Sequence, residues 1–198
     1  MTAKELFDET HYRYFVVVCS FFNKNLYFLL YFYFINIIMA FSARTARLAR
    51  EIKNLELKPP WGITCRPEKE DICDVLLVKM SGPRGSPYEK GLFKLIINVP
   101  DRYPFEPPQV KFVTPVYHPN IDKGGRICMN MLKMPPKGSW LPTITIETLL
   151  ISVQTLLATP NPDDPLMMDI AFEYKYDIDK FHENAVKFTE KYAVNSND

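Results

Sequence analysis

His118-Pro119-Asn120 is followed eight residues later by Cys128, within the run HPNIDKGGRIC. A cysteine that cleaves peptide bonds needs a base, usually histidine, to make its thiolate. No histidine here is placed to serve as that base. The pattern fits a thiol that carries an acyl group better than one that hydrolyses an amide. The alternative is a structural cysteine, which an isolated buried thiol usually is. The other cysteines, at 19, 65 and 73, form no CxxC pair, and the chain has three histidines. A zinc site or other metal site is therefore not expected, nor is a disulfide framework. A reducing compartment fits such cysteine usage. Asp163 and Asp164, in Asn161-Pro162-Asp163-Asp164-Pro165, are the other chemically able pair. Their plainest role is to cap the helix that follows.

The elements that hold these residues can be read from the prolines. All 17 lie between Pro59 and Pro165. Proline breaks helix interiors and is tolerated in turns and at sheet edges, so the middle reads as strands and stiff loops between helical ends. Ser42 can cap a first helix, with Leu48, Ile52 and Leu55 as its apolar stripe and Pro59-Pro60 as its stop. Arg44, Arg47, Arg50 and Lys53 form its basic side, either a solvated face or a docking face for an acidic partner. Strands are expected over Ile63–Arg66, Val75–Met80, Leu92–Val99 and Val110–Val113. Their connections are too short for helical crossovers, which makes an antiparallel meander. Tyr103-Pro104 is a candidate cis bond. Beyond Pro142, Thr143 or Thr145 can cap a helix carrying Leu149, Val153, Leu156 and Leu157. Two more helices are expected over Leu166–Tyr174 and Ile178–Tyr192, with Phe181, Ala185, Phe188 and Tyr192 lining one face of the last.

The whole is one α+β domain of a 198-residue chain with net charge +1. That balance argues against binding nucleic acid through bulk charge, and no glycine loop is built to cradle phosphates. Residues 14–38 stand apart: two apolar runs interrupted by Asn23-Lys24-Asn25. They are too interrupted for a clean membrane span and lack the basic start of a secretion signal. A membrane anchor, a secretion signal and a segment outside the working protein are the three readings. The third is favoured, because ordinary soluble sequence begins near Met39. The expected organisation is an extension over 1–39, a catalytic domain over 40–194 and a short tail over 195–198, with membrane contact only if 14–38 is an anchor.

Tyr103-Pro-Phe-Glu-Pro-Pro108, His118-Pro-Asn120, Gly125-Arg-Ile-Cys128, Trp140 and Pro160-Asn-Pro-Asp-Asp-Pro-Leu166 occur in the order found in ubiquitin-conjugating enzymes, which the chain resembles from about Arg44 to Tyr192. Pro135-Pro-Lys-Gly138, Tyr88-Glu-Lys-Gly91 and Gly62-Ile-Thr-Cys65 are most similar to the T-type branch, which works with a RING-type ligase in DNA crosslink repair. The resemblance implies a ubiquitin carrier. Cys128 would accept ubiquitin as a thioester from the activating enzyme and pass it to a substrate lysine, in the nucleus and cytoplasm. ATP would be used upstream, with no cofactor bound here and no direct contact with nucleic acid. Asn120 would be an oxyanion donor or a loop brace, and Asp164 would position the lysine, leaving Asp163 as the cap. His118 and Pro119 would be structural. Arg44, Arg47, Phe105, Trp140, Leu141 and Pro142 would meet the activating enzyme and the ligase. Two departures stand out: Asn130, where many relatives carry aspartate, and Leu141, often basic in the T-type branch. A carrier for another ubiquitin-like modifier and a non-catalytic variant of the fold are the competing readings.

Overall fold

A computed structural model describes residues 43–69 and 72–194. The apolar extension, Ser42 and the last four residues lie outside that range. Helix α1 covers 43–57 and stops before Pro59-Pro60, whose rings cannot continue it. Leu48, Ile52 and Leu55 are all buried. Four strands follow: β1 Ile63–Lys69, β2 Ile72–Ser81, β3 Leu92–Asn98 and β4 Gln109–Phe112. They pair antiparallel in the order β1-β2-β3-β4. The register sets Cys65 opposite Val78, Val78 opposite Leu95 and Leu95 opposite Phe112. All four are buried, so one continuous apolar line crosses the sheet. Each such side chain contributes about 1.5–3 kcal/mol on leaving water. Side chains alternate faces along a strand, as the burial pattern of β3 shows.

After β4 the chain runs through a long irregular stretch with one 3-10 turn at Asn130–Leu132, then three helices: α2 Ile146–Ala158, α3 Met168–Tyr176 and α4 Ile178–Tyr192. Thr145 caps α2 by accepting from the Thr148 amide. Asp177 caps α4 by accepting from the Lys180 amide. The buried line of α4 is Phe181, Ala185 and Thr189, while the Phe188 and Tyr192 rings lie against each other at 4.5 Å. Thr189 can be buried because its hydroxyl donates to the Ala185 carbonyl, leaving no polar group unsatisfied. α3 begins two residues later than expected, and Asp163 does not cap it. Its N-cap is Met167, with no side-chain hydrogen bond, while the Leu166 and Met167 amides both donate to the Pro119 carbonyl. Asp163 pairs instead with Lys175 at 2.7 Å. Tyr103-Pro104 is cis, as its sequence allowed, and Pro135-Pro136 is cis as well.

One buried carboxylate joins three segments. Glu51 of α1 accepts from the Tyr103 hydroxyl at 2.8 and 2.9 Å, from the Ile146 amide at 2.8 Å and from Arg47 Nε at 2.7 Å. Arg47 also donates to the Ile144 carbonyl and lies over the Tyr103 ring. Trp140 Nε1 donates to the Pro104 carbonyl. Burial, and then the Glu51 carboxylate, push the Tyr103 phenol well above its ordinary range, so it remains a donor. The loops at 103–108 and 140–145 are thereby fastened to α1 and to each other. Truncation of Glu51 leaves these donors unpaired, so Glu51→Ala should lower stability by about 3 kcal/mol, read as a shift of the urea midpoint. A loss below about 1 kcal/mol would mean that the carboxylate is not the fastener.

Candidate active site

The site is built around His118-Pro119-Asn120. His118 is fully buried. Its Nδ1 accepts from the Asn120 amide at 3.0 Å, and its Nε2 lies 3.0 Å from the Leu156 carbonyl. A carbonyl can only accept, so Nε2 carries the proton and the ring is neutral. Burial pulls its pKa down to about 4. Both ring nitrogens are committed to backbone, which leaves none to act as a base for Cys128. Pro119 has a structural part too, since its carbonyl receives the Leu166 and Met167 amides.

Asn120 is also fully buried. Its Nδ2 donates to the Asn161 and Asp164 carbonyls at 2.7 and 3.0 Å, and its Oδ1 accepts from the Asn161 amide at 2.8 Å. Both amide protons are thus held by carbonyls, the geometry of a loop brace rather than of a donor waiting for an oxyanion. Its own carbonyl accepts from the Cys128 amide. Asn120 therefore joins the backbone of the thiol to the loop that carries Asp164. Gly125 lets the cysteine-bearing loop lie this close to β4. Its φ is +81°, and a Cβ there would meet the Phe112 carbonyl oxygen at 1.9 Å.

Cys128 is a free, half-buried thiol on a shallow depression of about 230 Å³ shared with Met131, Leu156, Asn161 and Asp164. Its Sγ lies 3.1 Å from Asp164 Oδ2, to which the thiol donates, and 3.3 Å from Lys133 Nζ, which donates to sulfur. Lys133 and Asp164 are themselves 3.5 Å apart. Burial and the Asp164 carboxylate raise the thiol pKa, and Lys133 opposes them without prevailing. The resting thiol is protonated at neutral pH, unlike the thiolate of a hydrolytic Cys–His pair. Its hydrogen bond to Asp164 is the first cause that lowers the pKa of that carboxyl. Nothing in the spacing singled out Lys133, which lies in irregular chain after the cysteine.

The expected partner-facing residues divide. Phe105 and Leu141 are 63% and 56% exposed, and Pro142 is exposed beside Leu141. Arg44 and Trp140 are corrected: both are buried. Arg44 donates to the Pro100 and Val99 carbonyls and pairs with Asp74 at 2.8 Å, so its guanidinium is engaged inside the fold. Trp140 fills the core beneath the loop that it was expected to present. Arg47 is half-buried and held by Glu51. Asn130 is exposed, and its carbonyl accepts from the Lys133 and Ser139 amides. Burial pushes the Cys65 thiol up to about 12, an inert core residue. Among the described residues, no group of three or more His, Cys, Asp or Glu converges, and no helix is long and apolar enough to cross a membrane.

Two measurements check this electrostatic picture. Asp164→Asn removes a charge that raises the thiol pKa, so alkylation of Cys128 by iodoacetamide at pH 7 should accelerate. Lys133→Met should slow it, each by about threefold, followed on the Cys128 peptide by mass spectrometry. Changes of equal sign would contradict the arrangement. For His118, the folded pKa lies below the ordinary 6.5. Its contribution to stability is present above pH 6.5 and is lost as pH falls towards 4, by about 3 kcal/mol. Its imidazole resonances should stay those of the neutral form down to about pH 5. Titration near pH 6.5 would show that the ring is not sealed in.

The family model described as ubiquitin-conjugating enzyme matches residues 47–189. The chain is 54% identical over 155 residues to a Bos taurus protein described as ubiquitin-conjugating enzyme E2 T, covering 78% of this chain and 79% of that one. It is 53% identical over 150 residues to the Homo sapiens protein of the same description, covering 76% of each. The Xenopus laevis protein so described is 53% identical over 151 residues, covering 76% of this chain and 78% of that one. With a matching α+β fold and a free cysteine on the surface, the chain belongs to the ubiquitin-conjugating enzyme family, whose members transfer ubiquitin.

Proposed function

We propose that Cys128 is the carrier thiol of this enzyme. It takes ubiquitin from the activating enzyme and, with a RING-type ligase, gives it to a substrate lysine, by monoubiquitination in DNA crosslink repair, in the nucleus and cytoplasm. The observation that carries the chemical part is the setting of Sγ, open to partners and held between Asp164 and Lys133 with no histidine base among the described residues. The repair pathway and the RING ligase rest on likeness to the T-type branch.

The steps follow from the groups present. In charging, Cys128 Sγ forms a bond to the ubiquitin carbonyl carbon, the activating enzyme's sulfur leaves, and the thiol proton passes to it. The exchange trades one thioester for another and is close to isoenergetic. Once acylated, the sulfur has no proton to donate, so Asp164 loses that donor and keeps Lys133, 3.5 Å away. Its exposed carboxylate is then free to accept from the incoming lysine ammonium and to assist its deprotonation. The amine attacks the same carbonyl carbon, a C–N bond forms, and Cys128 leaves as the thiolate, then regains a proton. The absence of a histidine base keeps water from being activated against the thioester. Asn120 holds the Asp164 loop in place for this handover, while Phe105 and Leu141 offer exposed apolar contacts for the ligase. The chemistry is assigned to residues 40–194.

Incubation with activating enzyme, ATP and ubiquitin should give a thiol-sensitive adduct on a non-reducing gel, and Cys128→Ala should give none. Charging with another ubiquitin-like modifier, and not with ubiquitin, would contradict the reading. Asp164→Ala should charge normally and discharge to free lysine about tenfold more slowly. Asn130→Asp tests whether a charge two residues from the thiol aids discharge. A chain beginning at Met39 should charge as fast as the full chain.

A further inference from the structure

Most exposed apolar side chains are scattered singly, as on any soluble protein. Helix α3 is different. Met168, Phe172 and Tyr176 are 74%, 65% and 73% exposed, and their i, i+4, i+8 spacing sets them in one stripe. The Phe172 and Tyr176 rings lie against each other at 4.7 Å. The opposite side of the helix is the packed one, through Ile170 and Ala171. Leu166, 38% exposed, leads into the stripe two residues after Asp164.

This surface is continuous with the reacting groups. The chain enters α3 straight from the loop bearing Asp163 and Asp164, and Lys175 of α3 grips Asp163 at 2.7 Å. Four residues span at most about 14 Å from Asp164 to Met168, and the stripe runs about 12 Å along the helix. Residues 161–180 carry six acidic against two basic side chains, so the apolar stripe sits in an acidic field. The depression at Cys128, about 230 Å³ and open, has room for a lysine tip but little with which to select the protein that bears it.

We propose that the α3 stripe is a docking surface for the acceptor protein. It fits a lysine-bearing segment of basic character whose apolar side chains lie about four to eight residues from that lysine, the reach set by extended chain over these distances. The stripe binds the apolar side chains, the surrounding carboxylates favour the basic segment, and the lysine is delivered beside Asp164. This rests on Cys128 being the carrier.

The test uses the full chain charged with ubiquitin on Cys128 and chased with three acceptors. These are free lysine, a basic single-lysine peptide with leucine and phenylalanine four to eight residues away, and the same peptide with serines there. The apolar peptide should discharge the thioester at least fivefold faster than the serine peptide at low peptide concentration, through a lower KM. Phe172→Ser with Met168→Ser should abolish that advantage and leave free-lysine discharge and charging unchanged. Equal rates for the two peptides on the wild-type chain would overturn the proposal, whatever the variant does. So would a parallel loss of free-lysine discharge in the variant, which would mean that the stripe serves ubiquitin or the fold. Self-association that the variant abolishes would assign the stripe to a second copy and would likewise overturn it. Failure of charging itself would instead count against Cys128 as carrier.

Discussion

The site depends on one buried amide. Asn120 contributes two donor bonds and one acceptor bond to the Asn161–Asp164 loop, and its backbone carbonyl holds the amide of Cys128. His118 fixes Asn120 from behind by accepting its amide, and is itself anchored on the end of α2 at Leu156. Pro119 ties the start of α3 to the same turn. Three consecutive residues thus join the thiol loop, α2 and the loop into α3. A buried network of this kind stabilises only when every member is satisfied, and among the described residues no buried side-chain nitrogen or oxygen lacks a partner. His118, which the resemblance implied to be structural, is a neutral strut. Burial excludes its charged form, and its two nitrogens have complementary backbone partners.

The sheet and the helices supply stiffness for this bolt. The buried line from Cys65 through Val78 and Leu95 to Phe112 crosses all four strands, and the Phe112 amide donates to the Gly125 carbonyl, which brings the cysteine loop onto the sheet edge. On another side, Glu51 fastens the loops that expose Phe105 and Leu141. Cys128, Asp164, Phe105 and Leu141 are therefore all carried by loops, each held through hydrogen bonds to regular elements. Loops so held can present side chains without moving when a partner arrives. Around the sulfur itself, contacts are few and ionic. In the proposed reaction, the thiol that donates to Asp164 becomes a thioester that cannot, so acylation removes that partner from the carboxylate and leaves Lys133 beside it.

Much of this was legible because proline, glycine and helical spacing act locally. The prolines marked the strand region, Thr143 or Thr145 marked the start of α2, of which the structure uses Thr145, and the aromatic-proline step marked a cis bond. What the sequence hid were partners far apart in the chain. Arg44 lies on the basic side of α1 by spacing, yet Asp74 and the carbonyls of Val99 and Pro100 draw it inside. Nothing in the spacing singled out Glu51, on which Tyr103 and Ile146 close from far along the chain. Trp140 looked like a loop tip, and its indole instead reaches back to Pro104. Asp163 had the right type for a cap, but Pro119 already satisfied the amides that it would have served. Lys133 acquires meaning only once the turn after Cys128 folds its ammonium onto the sulfur.

The central claim is that Asn120 acts through the position of Asp164 and not as a separate oxyanion donor. A double-mutant cycle on single-turnover discharge to free lysine tests it most directly, with Asn120→Ala, Asp164→Asn and the pair, all charged to the same extent. Residues that act as one unit give non-additive effects. The account predicts that the double variant discharges about as slowly as the slower single variant. Multiplied losses would show that Asn120 stabilises the transition state on its own and would contradict the brace.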